Sequence, residues 1–292
     1  MTHRAGMLVS LIVPVLGLLM TSVLAAERIE GRVSEVYEEG RLLHVVLTSA
    51  SDSFAKGERV DFRVGAGDHR IGYQGRLVAG NAVFYSQRWH LESVFPIDGS
   101  QSKIVQVINQ QLQESTATKT RRKALRQGDY IPNFGMLDQF GRFVQIKQFR
   151  GKPFVLNFIF TRCTVPEMCP ASTTKMVELQ AKAAANGWDA LDFVSITLDP
   201  AYDSPGILNE YMEAFAIAEG NFHLLTQSNP SVIEDLLYQF GILTRDENNT
   251  ITHTITTFLI DPNGKIVYAK EGPRWSVDAF LEAAQPLMDS LE

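Results

Sequence analysis

The feature that most constrains the fold is a change of hydrophobic pattern near Gly128. Before it, from Arg28 to about Pro96, short runs of alternating apolar and polar residues are separated by turn residues such as Gly65 and Gly67. After it, longer apolar runs alternate with segments of helical spacing. A period of two predicts strands, and a period near 3.6 predicts helices. One repeating architecture cannot produce both patterns, so the chain is predicted to contain two differently built units.

The first unit, residues 26–97, is predicted to be a small all-β domain. Five runs share the short alternating pattern, namely RIEGRVSEVY, LLHVVLT, ERVDFRV, GYQGRLV and NAVFYSQRWHLESV. Short strands at regular intervals, broken by turn residues, are typical of five- or six-stranded barrels of the OB-like kind. We therefore expect an OB-like barrel at this end of the chain.

Residues 98–127 form a polar, glutamine-rich stretch between the two units. The segment IVQVINQQLQ has helical spacing, and the basic residues of STATKTRRKALRQG indicate a solvated helical connector. A patch for an anionic membrane or nucleic acid is the alternative. The chain as a whole carries 27 Lys and Arg against 33 Asp and Glu, a net charge of −6. Since nucleic-acid binding needs clustered basic residues in excess, no nucleic-acid partner is expected.

The second unit, residues 128–292, has the element order of a thioredoxin-like fold. The expected elements are strands 143–146, 153–160, 191–198 and 222–225, helices 170–185, 207–218, 231–240 and 277–291, and a hairpin with arms 251–260 and 265–269. Strand–helix–strand followed by strand–strand–helix builds a central mixed sheet with helices on both faces. The predicted class is therefore α/β, thioredoxin-like, preceded by the OB-like barrel.

The first 25 residues have the layout of a secretory signal peptide. A short charged start precedes an apolar run from Met7 to Leu24, and small residues stand just before Ala26. An uncleaved membrane anchor is the alternative, because the run is almost long enough to span a bilayer. Either interpretation predicts an extracytoplasmic, periplasmic protein, with possible membrane association through this segment. In an oxidising compartment a cysteine pair forms a disulfide, is kept reduced by a partner, or binds a metal.

The chain has two cysteines, and both lie where the first long strand should end. Cys163 follows that strand, and Cys169 immediately precedes Pro170, a residue suited to the first turn of a helix. Helix N-termini favour anions, so thiolates are stabilised there. We predict that Cys163 and Cys169 form a redox-active pair. Inert buried thiols or a purely structural disulfide are the alternative.

The spacing of the cysteines bears on their chemistry. Thioredoxin-type oxidoreductases place two residues between their cysteines, whereas five residues, Thr164–Met168, intervene here. Such a loop can close a disulfide and is also roomy enough for two thiolates around a metal. His253 leads into the strand expected beside the cysteine loop. Two thiolates and one imidazole suit copper in either oxidation state and could suit zinc, although a single histidine in a strand is more often a packing residue.

Several motifs of the second unit resemble one known family. They are the FTRC…CP segment 160–170, the Asp-Pro-rich loop 199–205 and a histidine shortly before the turn 261–264. This combination, over about residues 128–291, resembles the Sco/SenC family of thioredoxin-like copper chaperones, which assist cytochrome c oxidase assembly. The resemblance implies that Cys163, Cys169 and His253 bind one copper per chain, as Cu(I) or Cu(II). The partner it implies is the copper-site subunit of a respiratory oxidase, or another copper or thiol protein. The family typically has three residues between its cysteines, so the five found here are a departure.

Three functions remain open at this point. The first is an exported copper chaperone that delivers its ion to an oxidase copper centre. The second is an extracytoplasmic thiol–disulfide oxidoreductase that uses no metal, and the third is a non-enzymatic binding module with a vestigial site. The enlarged loop favours the third function, but the joint presence of Cys163, Cys169 and His253 argues against it.

The sequence contains further, weaker candidates for functional residues. Met168 could supply a thioether to Cu(I) or simply fill a gap. Asp199 and Asp203 are expected to hydrogen-bond loop amides or to position a partner, or else to serve as turn and N-cap residues. A second metal site among the three histidines of the β unit, His44, His69 and His90, is a further alternative that no spacing supports.

Overall fold

The computed structural model describes residues 26–118, 124–247 and 250–291. The predicted signal peptide, residues 1–25, lies outside these ranges, as does the segment 119–123 of the basic connector. Within the three described ranges, no helix has the length and apolar character needed to cross a membrane.

The N-terminal unit is a closed five-stranded barrel. Its strands are β1 (Glu27–Tyr37), β2 (Leu42–Leu47), β3 (Arg59–Arg63), β4 (Leu77–Tyr85) and β5 (Arg88–Pro96). They close in the order β1-β2-β3-β5-β4, with β3 and β5 parallel and the other neighbours antiparallel. Alternate side chains such as Val33, Leu43 and Phe62 fill the interior, which explains the period of two in the sequence. The predicted OB-like barrel is confirmed.

Helix α1 (Gly99–Ala117) follows the barrel and packs on the second unit. Its residues Val105, Ile108 and Leu112 are buried, and the Asn109 amide exchanges two 2.9 Å hydrogen bonds with the backbone of Gly135. The expectation of a solvated connector is therefore wrong for this face. The three buried residues are spaced three and four apart, a helical stripe that the intervening glutamines obscure in the sequence.

The second unit is built around a seven-stranded sheet. Its elements are β6 (Gly135–Asp138), β7 (Phe143–Gln145), β8 (Phe154–Ile159), α2 (Cys169–Ala185), β9 (Asp192–Thr197), α3 (Pro205–Ala214), β10 (Phe222–Thr226), α4 (Pro230–Phe240), β11 (Thr244–Glu247), β12 (Thr250–His253), β13 (Thr256–Ile260), β14 (Ile266–Glu271) and α5 (Val277–Asp289). The sheet order is β14-β13-β8-β9-β10-β6-β7, and β8, β9 and β10 run parallel. This mixed α/β architecture confirms the thioredoxin-like prediction.

Strand β8 lies in the interior of the sheet, and all six of its residues are buried. Its nearly continuous apolar sequence, FVLNFI, is what a parallel strand covered on both faces requires. Helix α2 packs against α5, and α1 packs against α4. The carboxyl ends of β8 and β9 lie side by side, because Ile159 pairs with Thr197. The loops that follow these two strands therefore meet at one edge of the sheet.

The single hairpin arm expected over 251–260 is wrong. The structure divides it into β12, which pairs with β11 in a separate two-stranded ribbon, and β13, which pairs with β8 and β14. The break falls at Thr254, whose N–H donates to the Leu243 carbonyl at 2.9 Å and whose hydroxyl accepts from the Leu243 N–H at 3.0 Å. These bonds leave His253 at the end of the ribbon rather than inside the sheet. Strands β6 and β11 had not been predicted.

The barrel touches the second unit close to the loop between β9 and α3. The Gly67 N–H donates to the Glu210 carboxylate of α3 at 2.8 Å. Gly67 approaches α3 so closely that a Cβ there would stand 1.9 Å from the Gly206 carbonyl oxygen. The Ser93 hydroxyl of β5 donates to the Ala201 carbonyl at 3.3 Å. The barrel thus contacts one of the loops that frame the cysteines.

Candidate metal centre

The two cysteines occupy different positions at the same edge of the sheet. Cys163 lies in the loop 160–168 that follows β8, and its side chain is half-buried. Cys169 is the first residue of α2 and is fully buried in the hydrophobic core. Both are free thiols, and their side chains interact closely enough for each to shift the pKa of the other. The fold thus brings the predicted pair together, although six positions separate the two residues in sequence.

The interaction between the two cysteines shifts their pKa values in opposite directions. The side-chain hydrogen bond from Cys169, helped by the Cys169 backbone N–H, lowers the pKa of Cys163 from 9.0 to about 6. The same hydrogen bond, together with burial, raises the pKa of Cys169 well above its ordinary value. Near neutral pH the structure therefore favours a thiolate on Cys163 and a protonated thiol on Cys169.

His253 meets Cys169 from the end of the ribbon. The His253 Nε2 atom lies 3.3 Å from the Cys169 Sγ atom, and Nδ1 lies 3.0 Å from the Thr254 carbonyl oxygen. A carbonyl can only accept, so Nδ1 carries the hydrogen and Nε2 keeps its lone pair. Burial lowers the pKa of His253. The imidazole is thus neutral and directs its free nitrogen at the sulfur, in the state that metal ligation requires.

Two aspartates connect the loop after β9 to the loop after β8. The buried Asp203 carboxylate accepts from the Thr161 N–H at 3.1 Å and from the hydroxyls of Thr161 and Thr197, and burial raises the pKa of Asp203 to about 6. Asp199 accepts from the Arg162 guanidinium at 3.0 and 2.5 Å. For Asp203, the expected hydrogen bond to a loop amide is present. Thr161 and Arg162 directly precede Cys163, so both aspartates position its loop.

Tyr211 of α3 is a second polar group near the cysteines that the sequence did not indicate. Its hydroxyl lies 2.7 Å from the Thr173 hydroxyl of α2. Burial, and more weakly the negative charge of the cysteine pair, raises the pKa of Tyr211, so the phenol stays protonated. Tyrosine and threonine on helices have no spacing that separates a site residue from a packing residue, which is why this pair escaped prediction.

The three predicted ligands lie near one another, but their side chains are not arranged around a common metal position. Cys169 lies 3.3 Å from His253 and shifts the pKa of Cys163. Across the described ranges, however, no three His, Cys, Asp or Glu side chains are already arranged to hold a metal ion. The Cys169 thiol instead lies within hydrogen-bond distance of the His253 imidazole. A metal ion bound here would displace the Cys169 proton and take over these contacts.

The histidines of the barrel do not join this site. His44 hydrogen-bonds to Asp61 at 2.6 Å, His69 bonds to a backbone carbonyl, and the ring of His90 stacks on Tyr85 with centroids 3.6 Å apart. Each has its own local contact. In the part of the chain that the structure describes, these residues do not assemble the second metal site considered above.

The second unit matches the sequence model of a known protein family. The sequence model of the SCO1/SenC family matches residues 122–283, more than half of the 292 residues. The chain belongs to the SCO1/SenC family. The matched range contains both cysteines and His253 and begins after the barrel, so the family assignment rests on the thioredoxin-like unit. The predicted membership is confirmed.

Relatives and solved structures agree with this assignment. The chain is 33% identical over 141 residues to an SCO2-like protein of Rickettsia typhi, which is 46% of this chain and 66% of the relative. It is 28% identical over 140 residues to the SCO1 protein homolog of Bacillus subtilis, covering 47% and 71%. The crystal structure of a SCO1/SenC family lipoprotein from Bacillus anthracis superposes with a TM-score of 0.51 at 28% identity, covering 56% of this chain and 99% of that one. The first match spans just under two thirds of its relative.

Proposed function

We propose that this SCO1/SenC protein is an exported copper chaperone. It binds one copper ion through Cys163, Cys169 and His253 and delivers it to the copper centre of a respiratory oxidase. One observation carries the proposal: the free Nε2 of His253 lies 3.3 Å from the Cys169 Sγ atom, and the Cys163 and Cys169 thiols lie close enough to shift each other's pKa. Three soft donors therefore lie together at this edge of the sheet, with Cys169 and His253 buried and Cys163 half-buried.

The protonation states of these donors suit copper binding. Thiolates and imidazole are ligands that copper favours in both oxidation states. Cys163 is already a thiolate near neutral pH, because its pKa is lowered to about 6. His253 is neutral, since burial lowers its pKa. Only Cys169 must lose a proton on loading, so copper affinity is expected to rise with pH.

The unequal exposure of the ligands supports delivery. Cys169 and His253 are buried, whereas Cys163 is half-buried in a loop. An incoming ligand of a partner protein can reach the copper–Cys163 bond first and replace it. Transfer then proceeds by ligand exchange, with the buried pair released last. No change in the oxidation state of copper is needed.

The proposed location outside the cytoplasm rests on the first 25 residues. Their apolar run and small-residue end are those of a secretory signal. In an oxidising compartment a thiol pair can either bind copper or close a disulfide, so both states of Cys163 and Cys169 are accessible there. Copper loading would then require a partner that keeps Cys163 and Cys169 reduced.

Thiol–disulfide exchange is a second candidate function, favoured by the polarised pair. The Cys163 thiolate can attack a partner disulfide and form a mixed disulfide, releasing one partner thiolate. Cys169 then gives its proton to His253 and attacks Cys163, which closes the internal disulfide and releases the second partner thiolate. The cysteine pair is oxidised and the partner is reduced by two electrons. This route uses no metal.

Copper binding by the reduced protein under anaerobic conditions tests the main proposal. We expect one copper per chain, lost in Cys169→Ser. His253→Ala should weaken Cu(II) binding strongly and Cu(I) binding less, because Cu(I) accepts two-coordinate sulfur. His90→Ala, in the barrel, is the matched control and should change neither affinity.

The same variants separate the two candidate functions. Copper content that stays unchanged in Cys169→Ser would contradict the chaperone proposal. If His253→Ala slows disulfide exchange and leaves both copper affinities unchanged, the thiol–disulfide function is the correct one.

A further inference from the structure

A cavity of about 460 Å³ opens beside His253. It lies between the start of α2, the ribbon and the end of β14, and its lining comprises Met168, Gly241, Leu243, His253–Thr256 and Glu271–Pro273. Two of these residues, His253 and Met168, carry donor atoms that suit copper. Glu271 offers a carboxylate, which suits harder cations. His253 and Met168 therefore line the same cavity.

The backbone holds Met168 in place. Its N–H donates to the Val165 carbonyl at 3.0 Å, and its carbonyl accepts from the Ser172 N–H at 2.9 Å. Met168 is also the N-cap of α2 and directly precedes Cys169. The Cys169 sulfur lies 3.3 Å from His253, so Met168 is the sequence neighbour of the residue at which thiol and imidazole meet.

We propose that Met168 supplies a thioether ligand to Cu(I) on the cavity side of the site. This inference rests on the proposed copper function and extends its ligand set to Cys163, Met168, Cys169 and His253. A thioether is soft and uncharged, so it favours Cu(I) over Cu(II). The lengthened loop that separates the cysteines thereby contributes a donor of its own. When Cys163 is exchanged for a partner's ligand, Met168 keeps the ion bound beside Cys169 and His253.

Selenium labelling tests this assignment directly. The chain contains eight methionines, and in selenomethionine-labelled protein a coordinating methionine produces copper–selenium scattering at the copper absorption edge. We expect this signal in the anaerobic Cu(I)-loaded protein. It should vanish in Met168→Leu and persist in Met176→Leu. Met176 lies on the same helix but is fully buried in the core, so it is a matched control.

Affinity provides the second readout. Removing groups that merely orient metal ligands lowers metal affinity about 10- to 100-fold, so losing a direct ligand should lower Cu(I) affinity at least about tenfold. Cu(II) affinity should stay unchanged in Met168→Leu. Leucine is close to methionine in volume and polarity, so the fold should tolerate the change; an unchanged circular dichroism spectrum checks this.

The outcomes distinguish this inference from the proposed function. Copper bound without copper–selenium scattering, or scattering that persists in Met168→Leu, would overturn the thioether ligand and leave the chaperone proposal intact. An unlabelled wild-type protein that binds no copper would overturn both.

Discussion

The loop 160–168 and the first turn of α2 each carry one cysteine, yet they treat the thiol in opposite ways. In the loop, Cys163 is half-buried and its pKa is lowered to about 6. At the helix start, Cys169 is fully buried and its pKa is raised. The interaction between the two thiols, combined with their unequal burial, shifts the pKa values of two chemically identical groups in opposite directions. The pair therefore offers an accessible thiolate and a protected thiol.

The two regions also differ in what holds them in place. The cysteine loop is fixed by polar contacts, chiefly the hydrogen bonds that the Asp203 carboxylate accepts from the N–H and hydroxyl of Thr161. Helix α2 is fixed by apolar burial, with Met176 and Leu179 fully inside the core. Polar contacts to a loop can be removed one at a time, whereas the helix is held by many small contributions. The loop should thus be the more easily perturbed of the two.

The largest effect is expected when Cys169 is replaced. In Cys169→Ala the main cause of the low Cys163 pKa is lost, so that pKa should rise from about 6 toward 9.0. At pH 7 the thiolate fraction would fall from about nine tenths to about one hundredth. Cys169→Ser keeps a hydroxyl donor and should shift the pKa less. The measurement is the rate of Cys163 alkylation against pH, which in the wild-type protein should decline as pH falls through about 6. If the wild-type protein, Cys169→Ala and Cys169→Ser gave the same pH profile of alkylation, Cys169 would not be the cause of the low Cys163 pKa.

A smaller effect is expected from removing the support of the loop. Asp203→Ala leaves the Thr161 N–H without its acceptor and should cost about 1–3 kcal/mol of unfolding free energy. Asp199→Ala is the matched control. Its ion-pair partner, Arg162, is 39% exposed, so this loss should stay below about 1 kcal/mol. Urea unfolding measures both. Equal losses in the two variants would show that the loop does not depend on Asp203.

The last effect concerns the pH dependence of stability. Burial raises the pKa of Asp203 from 3.8 to about 6, so the folded state binds this proton more tightly than the unfolded state. The wild-type protein should therefore gain stability from this group as pH falls from about 6 toward 4. Asp203→Asn cannot titrate, and the stability difference between the two proteins should change over this range. A difference that is constant with pH would place the Asp203 carboxyl in a solvated setting.

Local patterns allowed much of the architecture to be predicted. The barrel, the strand–helix order of the second unit and the positions of Cys163 and Cys169 between β8 and α2 follow from hydrophobic periodicity and turn residues, which act over a few neighbours. The SCO1/SenC motifs are likewise short and readable in one dimension. The sequence by itself therefore determined the fold class, the family and the residues worth testing.

Tertiary structure decided what those residues can do. Only the folded chain places His253 at 3.3 Å from Cys169, ends the ribbon at that histidine and buries one thiol while leaving the other accessible. It also lets the Asp203 carboxylate accept a hydrogen bond from the Thr161 N–H, and it places Met168 in the lining of the cavity that His253 also lines. Burial and contacts between distant residues arise from the packing of whole elements, and they set both pKa values and ligand geometry. No local pattern encodes them, because a residue's partners depend on every strand and helix that packs around it.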